Sequence, residues 1–214
     1  MITYFLVGAV VVCAGLILWM QERYHLAYRL VQILAIGCLM ALLMTGETPM
    51  ADACYWLVLA GLGFALVGDL SFHTDGARHL RVAIGAMVVC YLFYAAAFSS
   101  RMALSFSLPA LLFYLVIPAT VLLMVGNQLG TLRWPVLFLS LIMAVMAGQA
   151  TTQYLVLNTR SAQLVMGGVL FFFLVDGAIA IDHFGAGDPL PWRKTLIELS
   201  NYSAQLLITL SALA

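Results

Sequence analysis

The sequence predicts an all-α, polytopic membrane helix bundle of about eight transmembrane helices. It reads as a single integral membrane domain over residues 1–214. Three observations predict it. The chain is 64% hydrophobic and 8% charged, where soluble domains carry about 25% charged residues. Its mean hydropathy is +1.07. Apolar runs of about 18 residues or more recur along the chain, each long enough to cross a bilayer as a helix. An open sheet would leave backbone groups unsatisfied in lipid, so these runs are expected to be helical. No polar stretch is long enough for a folded soluble domain. The net charge of zero offers no basic surface to nucleic acid.

The spans are expected at 2–20, 28–45, 53–72, 81–99, 103–125, 134–156, 163–182 and 194–213. The first lacks a basic n-region and an A-x-A cleavage site, so it reads as a retained span rather than a removed signal peptide. QERYH separates it from the second span, which ends at TGETPMAD. The third carries Gly61, Ala65 and Gly68 on one face, small enough for a neighbouring helix to approach closely. HTDGARH and SSRM bracket the fourth. Pro109 sits near the start of the fifth, where proline is tolerated, and Pro118 in its middle is expected to kink it. The sixth follows GNQLGTLR, starts near Pro135, and bears Gln149 and Gln153, which read as packing or rim residues. NTRSA and HFGAGDPLPWRK precede the seventh and eighth.

Charge then orients the bundle. Arg23, Arg29, Arg78, Arg81, Arg133, Arg193 and Lys194 fall at one set of alternate connections, and only Arg101 and Arg160 at the other. The positive-inside rule puts the first set in the cytoplasm and both termini outside it. The expected location is the cell membrane, as a multi-pass protein. Trp19, Trp56, Trp134 and Trp192 lie at span ends as interfacial anchors. Cys13, Cys38, Cys54 and Cys90 lack metal-type spacing and read as small packing residues. No internal repeat of the transporter kind is evident.

Asp69 and Asp176 interrupt the third and seventh spans. A carboxylate at hydrocarbon depth costs about 2.5–3.5 kcal/mol on insertion scales, which makes each a functional candidate. At about 1.5 Å rise per residue, Asp69 lies about 5 Å and Asp176 about 10 Å from the cytoplasmic end. By the same rise Asn201, Tyr202 and Gln205 come at about 12–18 Å, and Tyr91 at about 15 Å. Lipid-facing placement of so many polar groups is costly, so a shared inward-facing cavity is expected. Asn201 and Gln205 share a helix face, with Tyr202 beside it, and His183 would stand below Asp176 at the mouth. Plainer readings stay open: Asp69 snorkelling or pairing with Arg78 or Arg81, Asp182 as a solvated end residue, and Tyr202 and Gln205 as interhelical hydrogen-bond glue. His73, His79 and His183 lie on the same side as the carboxylates but lack an i, i+4 pair, so no metal site is assigned.

The runs LVLAGLGFALVGDLSF, RVAIGAMVVCYLFYAAAF, GGVLFFFLVDGAIAI and NYSAQLLI resemble the YhhN-type lysoplasmalogenase family of eight-span membrane proteins. The resemblance covers about residues 52 to 208 and rests on Gly68-Asp69, Asp176, Tyr202 and Gln205. Two positions depart from it: Val31-Gln32 stands where the family commonly has Lys-Pro, and Tyr91 where a histidine is common. The activity it implies is cleavage of the vinyl ether bond of a lysoplasmalogen, giving a fatty aldehyde and a glycerophospho-base. A vinyl ether hydrolyses by proton transfer to carbon, so two carboxyl groups, one acid and one base, suit the chemistry. Asp176 is the expected acid and Asp69 its partner, with Tyr202, Gln205, Asn201 and Tyr91 orienting water or substrate. No cofactor is implied. The partners are a lysophospholipid-like substrate, entering between helices with its head group toward Arg78, Arg81, Arg193 or Lys194, and the bilayer itself. Two other classes fit the same residues: a small-molecule or proton-coupled transporter, and a non-catalytic lipid-binding protein.

Overall fold

Eight α-helices follow one another among the described residues: α1 (Ile2–Met20), α2 (His25–Met44), α3 (Ala53–Phe72), α4 (Ala77–Arg101), α5 (Leu108–Val125), α6 (Arg133–Leu157), α7 (Arg160–Phe184) and α8 (Arg193–Leu213). The structure is a computed structural model describing residues 2–20, 25–46, 52–72, 74, 76–103, 105, 107–125, 129–184 and 192–214. Arg23 and His73 lie outside the described residues, as do the side chains of Pro118, Asp182 and His183. Every expected span coincides with a helix. Six helices (α1, α2, α3, α4, α6 and α7) are long and apolar enough to cross a membrane. The other two are α5 and α8. In α8 the polar load is plain, because Glu198, Asn201, Gln205 and Thr209 recur along it and all are buried.

That polar load explains where α8 sits. It packs against α7 and also against α1, α2 and α3, while α6 packs against α4, α5 and α7. A helix this polar is stable in lipid only with neighbours to bond its side chains, so it takes the inside of the bundle. The small residues of α3 act as the sequence suggests. A Cβ at Gly61 would collide with the Tyr94 ring of α4, and one at Gly68 would stand 3.1 Å from Met87 Cε. Gly168 plays the same part between α7 and α8, where a Cβ would come within 2.8 Å of Ile208 Cγ1. These contacts bring the helices close enough for dispersion and interhelical hydrogen bonds to hold them.

The fifth helix starts at Leu108, later than expected. After α4 the backbone turns extended at Met102, with φ −148 and ψ 131. Side chains of α6 satisfy this non-helical stretch. Gln149 Oε1 accepts from the Ser105 N–H at 3.2 Å, and Thr152 Oγ1 from the Ser107 N–H at 3.3 Å. Gln149 Nε2 donates to the Met102 carbonyl at 3.2 Å, and Gln153 Nε2 donates to the Phe98 carbonyl. Gln149 and Gln153 are therefore not rim residues, being 0% and 2% exposed. Gln149 and Thr152 supply bonds that a continuing helix would have made for its own backbone, while Gln153 adds a second donor to the Phe98 carbonyl, which already accepts from the Met102 N–H. At the next break, α6 ends on Asn158 in the left-handed region at φ 45, a conformation asparagine tolerates better than most residues. The helical assignment of α5 continues through Pro118.

At the end of the bundle near Asn158, Arg101 closes α8. Its guanidinium donates to the carbonyls of Ser211 at 2.8 Å and Ala212 at 3.1 Å, and to Ser161 Oγ. A cation there opposes the negative end of the α8 dipole and caps its last carbonyls. Trp19, Trp56, Trp134 and Trp192 are all more than half exposed, between 52% and 77%, as interfacial anchors should be. The four cysteines are free thiols.

Replacing Gln149 with leucine should leave the Ser105 N–H and the Met102 carbonyl unsatisfied. A loss of about 1–3 kcal/mol is expected, read as a lower midpoint in thermal unfolding of the detergent-solubilised protein. An unchanged midpoint would mean that these two backbone groups find other partners.

Candidate functional site

A cavity opens at one end of the bundle, with about 120 Å³ of free volume. Its walls come from the C-terminal parts of α3 and α7 and the N-terminal parts of α4, α6 and α8, with Leu122 of α5. This is the end to which the basic-rich connections belong. Most of the lining is apolar, including Phe72, Met87, Leu139, Met143, Phe173 and Ile179. Its polar members are Asp69, Asp176, Glu198, Asn201 and Ser140. No basic side chain lines it among the described residues. The volume would seat several waters at about 10–15 Å³ each, or part of a single acyl chain.

Asp69 and Asp176 both stand on this wall. Asp69 is 5% exposed, so it does not snorkel, and Arg78 and Arg81 are exposed. Asn201 Nδ2 of α8 donates to Asp69 Oδ2 at 3.0 Å. A hydrogen bond to a carboxylate is roughly twice as strong as a neutral one, and this one ties α8 to α3. Asp176 is half-buried and accepts at Oδ1 from the Tyr91 hydroxyl at 3.1 Å. Tyr91 is held edge-on against Phe172, with ring centroids 5.1 Å apart. Ser140, by contrast, turns its hydroxyl back to the Val136 carbonyl at 2.9 Å.

The other expected site residues lie behind the wall. Gln205 is fully buried one turn beyond Asn201, and its Oε1 accepts from the Tyr94 hydroxyl at 2.5 Å. Tyr202 is also buried, among Asp69, Glu198 and the Tyr28–Gln32 pair. Neither residue belongs to the lining. Both support the groups that do. Arg78, Arg81 and Lys194 are exposed and Arg193 is buried at the start of α8, so none of the four expected head-group partners forms part of the wall. His79 is exposed, and no cluster of three metal-ligating side chains occurs among the described residues.

Sequence reasoning missed Glu198. It is 3% exposed, lines the cavity, and accepts at Oε1 from the Tyr28 hydroxyl at 2.5 Å. Gln32 Nε2 of α2 donates to the same Tyr28 oxygen at 3.1 Å. A signal was present: Glu198 stands among Leu196, Ile197 and Leu199, and shares the α8 face of Asn201 and Gln205 at i, i+3, i+7. Its closeness to Arg193 and Lys194 made it resemble an ordinary helix-end charge. Gln32 thus belongs to the carboxylate network.

The YhhN family profile matches residues 27–212. Three curated proteins named "Uncharacterized membrane protein YhhN", from Escherichia coli O6:H1, Escherichia coli O157:H7 and Shigella flexneri, are each 39% identical over 114 residues. That match covers 52% of this chain and 54% of each relative, so the chain spans about half the length of the curated relatives it matches. No solved structure matches the chain.

Replacing Glu198 with leucine should deprive the buried Tyr28 hydroxyl of the carboxylate it donates to. The expected cost is about 1–3 kcal/mol, seen as a lower unfolding midpoint. The Tyr28→Phe, Glu198→Leu double variant should recover part of that loss. No recovery would show that Tyr28 and Glu198 are not coupled.

Proposed function

The chain belongs to the YhhN family of membrane proteins, and on that premise we propose that it is a membrane-embedded hydrolase of lysoplasmalogenase type. It cleaves the vinyl ether bond of a lysoplasmalogen to a fatty aldehyde and a glycerophospho-base. The observation that carries the reading is that Asp69 and Asp176, from different helices, line one mostly apolar cavity.

All eight helices span the membrane in this reading. The termini lie outside and the cavity opens toward the cytoplasm, following the basic residues. The alkenyl chain lies against the apolar wall formed by Met87, Met143 and Phe173. Asp176, whose Oδ1 is engaged by Tyr91, carries the proton on Oδ2 and donates it to the β-carbon of the vinyl ether. The C=C bond becomes C–C and the positive charge settles on the adjoining C=O⁺. Asp69, held by Asn201, takes a proton from water as the water oxygen bonds to that carbon, giving a hemiacetal. Asp176 then removes the hemiacetal hydroxyl proton while Asp69 protonates the departing glycerol oxygen. The C–O bond breaks, the aldehyde leaves, and both carboxyls return to their starting states. One water is consumed and no redox partner is needed. Glu198, on the same cavity wall, adds negative potential beside the developing cation.

Asp69→Asn and Asp176→Asn should each lower aldehyde release from a purified lysoplasmalogen by about 100-fold or more, with an unchanged elution profile in detergent. Full activity in either variant would remove the two-carboxylate mechanism. Release by detergent-solubilised protein, with no membrane gradient, separates this reading from a transporter.

A further inference from the structure

We infer that behind the wall at Asp69 and Asn201 the floor of the cavity continues to Gln205 as a built seat for one water molecule, and that this is the water that is consumed. The first observation is Asn201 itself. Its Nδ2 is committed to Asp69 Oδ2 at 3.0 Å, which fixes the amide plane and turns Oδ1 away from that bond. The side chain lines the cavity, is 5% exposed, and its Oδ1 accepts from no protein group. The second observation is Gln205, one turn further along the same face of α8. Its Oε1 is occupied by Tyr94, and its Nε2 is buried without an acceptor.

An orphaned acceptor and an orphaned donor one turn apart on α8, the first on the residue bonded to Asp69, offer a single water both partners it needs. Leaving both unmade costs about 1–3 kcal/mol for each group. A buried water typically makes about three hydrogen bonds to such groups. Here it donates one hydrogen to Asp69 and the other to Asn201 Oδ1, and accepts from Gln205 Nε2. One lone pair remains, pointing up into the cavity. A water with both hydrogens and one lone pair engaged has a fixed direction of attack, as orientation by a catalytic site requires. When its oxygen bonds to the oxocarbenium carbon, the proton passes to Asp69 and the second hydrogen stays on the new hydroxyl. Asn201 and Gln205 are positioning residues in this scheme, and the role of the water rests on the hydrolase reading. The seat itself does not.

Two measurements test it, one free of the reaction. An experimental structure at a resolution that shows waters should place one within hydrogen-bond distance of both Asp69 and Asn201 Oδ1. A dry floor overturns the seat. The second measurement is the fate of the cation when methanol competes with water. The wild-type protein should give aldehyde almost alone. Asn201→Leu, and Gln205→Met where the first fails to fold, should raise the share of mixed methyl acetal several-fold. An acetal share equal to wild type in a folded, active variant is the result of a purely structural role and overturns the positioning role. A water in the seat with no vinyl ether turnover by the wild-type protein upholds the site and sinks the hydrolase reading alone.

Discussion

The hydrogen bond from Asn201 to Asp69 is the contact on which the rest of this architecture turns. It joins the most polar helix of the bundle to the buried carboxylate of α3. In a bilayer no solvent stands ready to satisfy such groups, so the polar side chains of α8 are stable only inside the bundle. That constraint draws α8 inside, against α1, α2, α3 and α7. The same constraint builds the cavity, because helices carrying carboxylates on their facing sides cannot close into a dry aliphatic seam.

Polar satisfaction works differently at the two ends. Near the cavity the bonds run between side chains of different helices: Tyr91 to Asp176, Tyr94 to Gln205, Tyr28 to Glu198. They hold groups in place while leaving oxygen atoms on the cavity wall. At the other end the bonds go to the backbone, with Gln149, Gln153 and Arg101 bonding carbonyls directly. Tyrosine suits the first task because its ring packs as a hydrophobe while its hydroxyl reaches a partner. Close helix approach at Gly61 and Gly68 lets the rings and thioethers of α4 lie against α3.

The helices were legible because hydrophobic length is a local property of the chain. A run long enough to cross a bilayer reads as such without reference to its neighbours. Asp69 and Asp176 were legible for the converse reason, since a charge inside such a run stands out against its surroundings. Gln149 and Gln153 were visible as polar residues, but their role was not. It depends on a break in the helix some 45 residues earlier, and nothing at positions 149 or 153 reports that break. Glu198 was overlooked because its distance from a helix end resembles that of a solvated charge, and only the packing of α2 over it shows that it is buried. Tyr202 and Gln205 are buried, and which layer they occupy depends on the rotation of α8.

The sequence by itself therefore determined the number, order and approximate ends of the helices, and which residues were too polar to face lipid. Each follows from transfer energies acting on one stretch of chain at a time. Only the tertiary structure decided which carboxylates share a wall, which tyrosine serves which acceptor, and that a third acidic group from α8 joins them. Those relations link residues up to 170 positions apart. They are set by how helix faces rotate and interlock, which no single segment encodes.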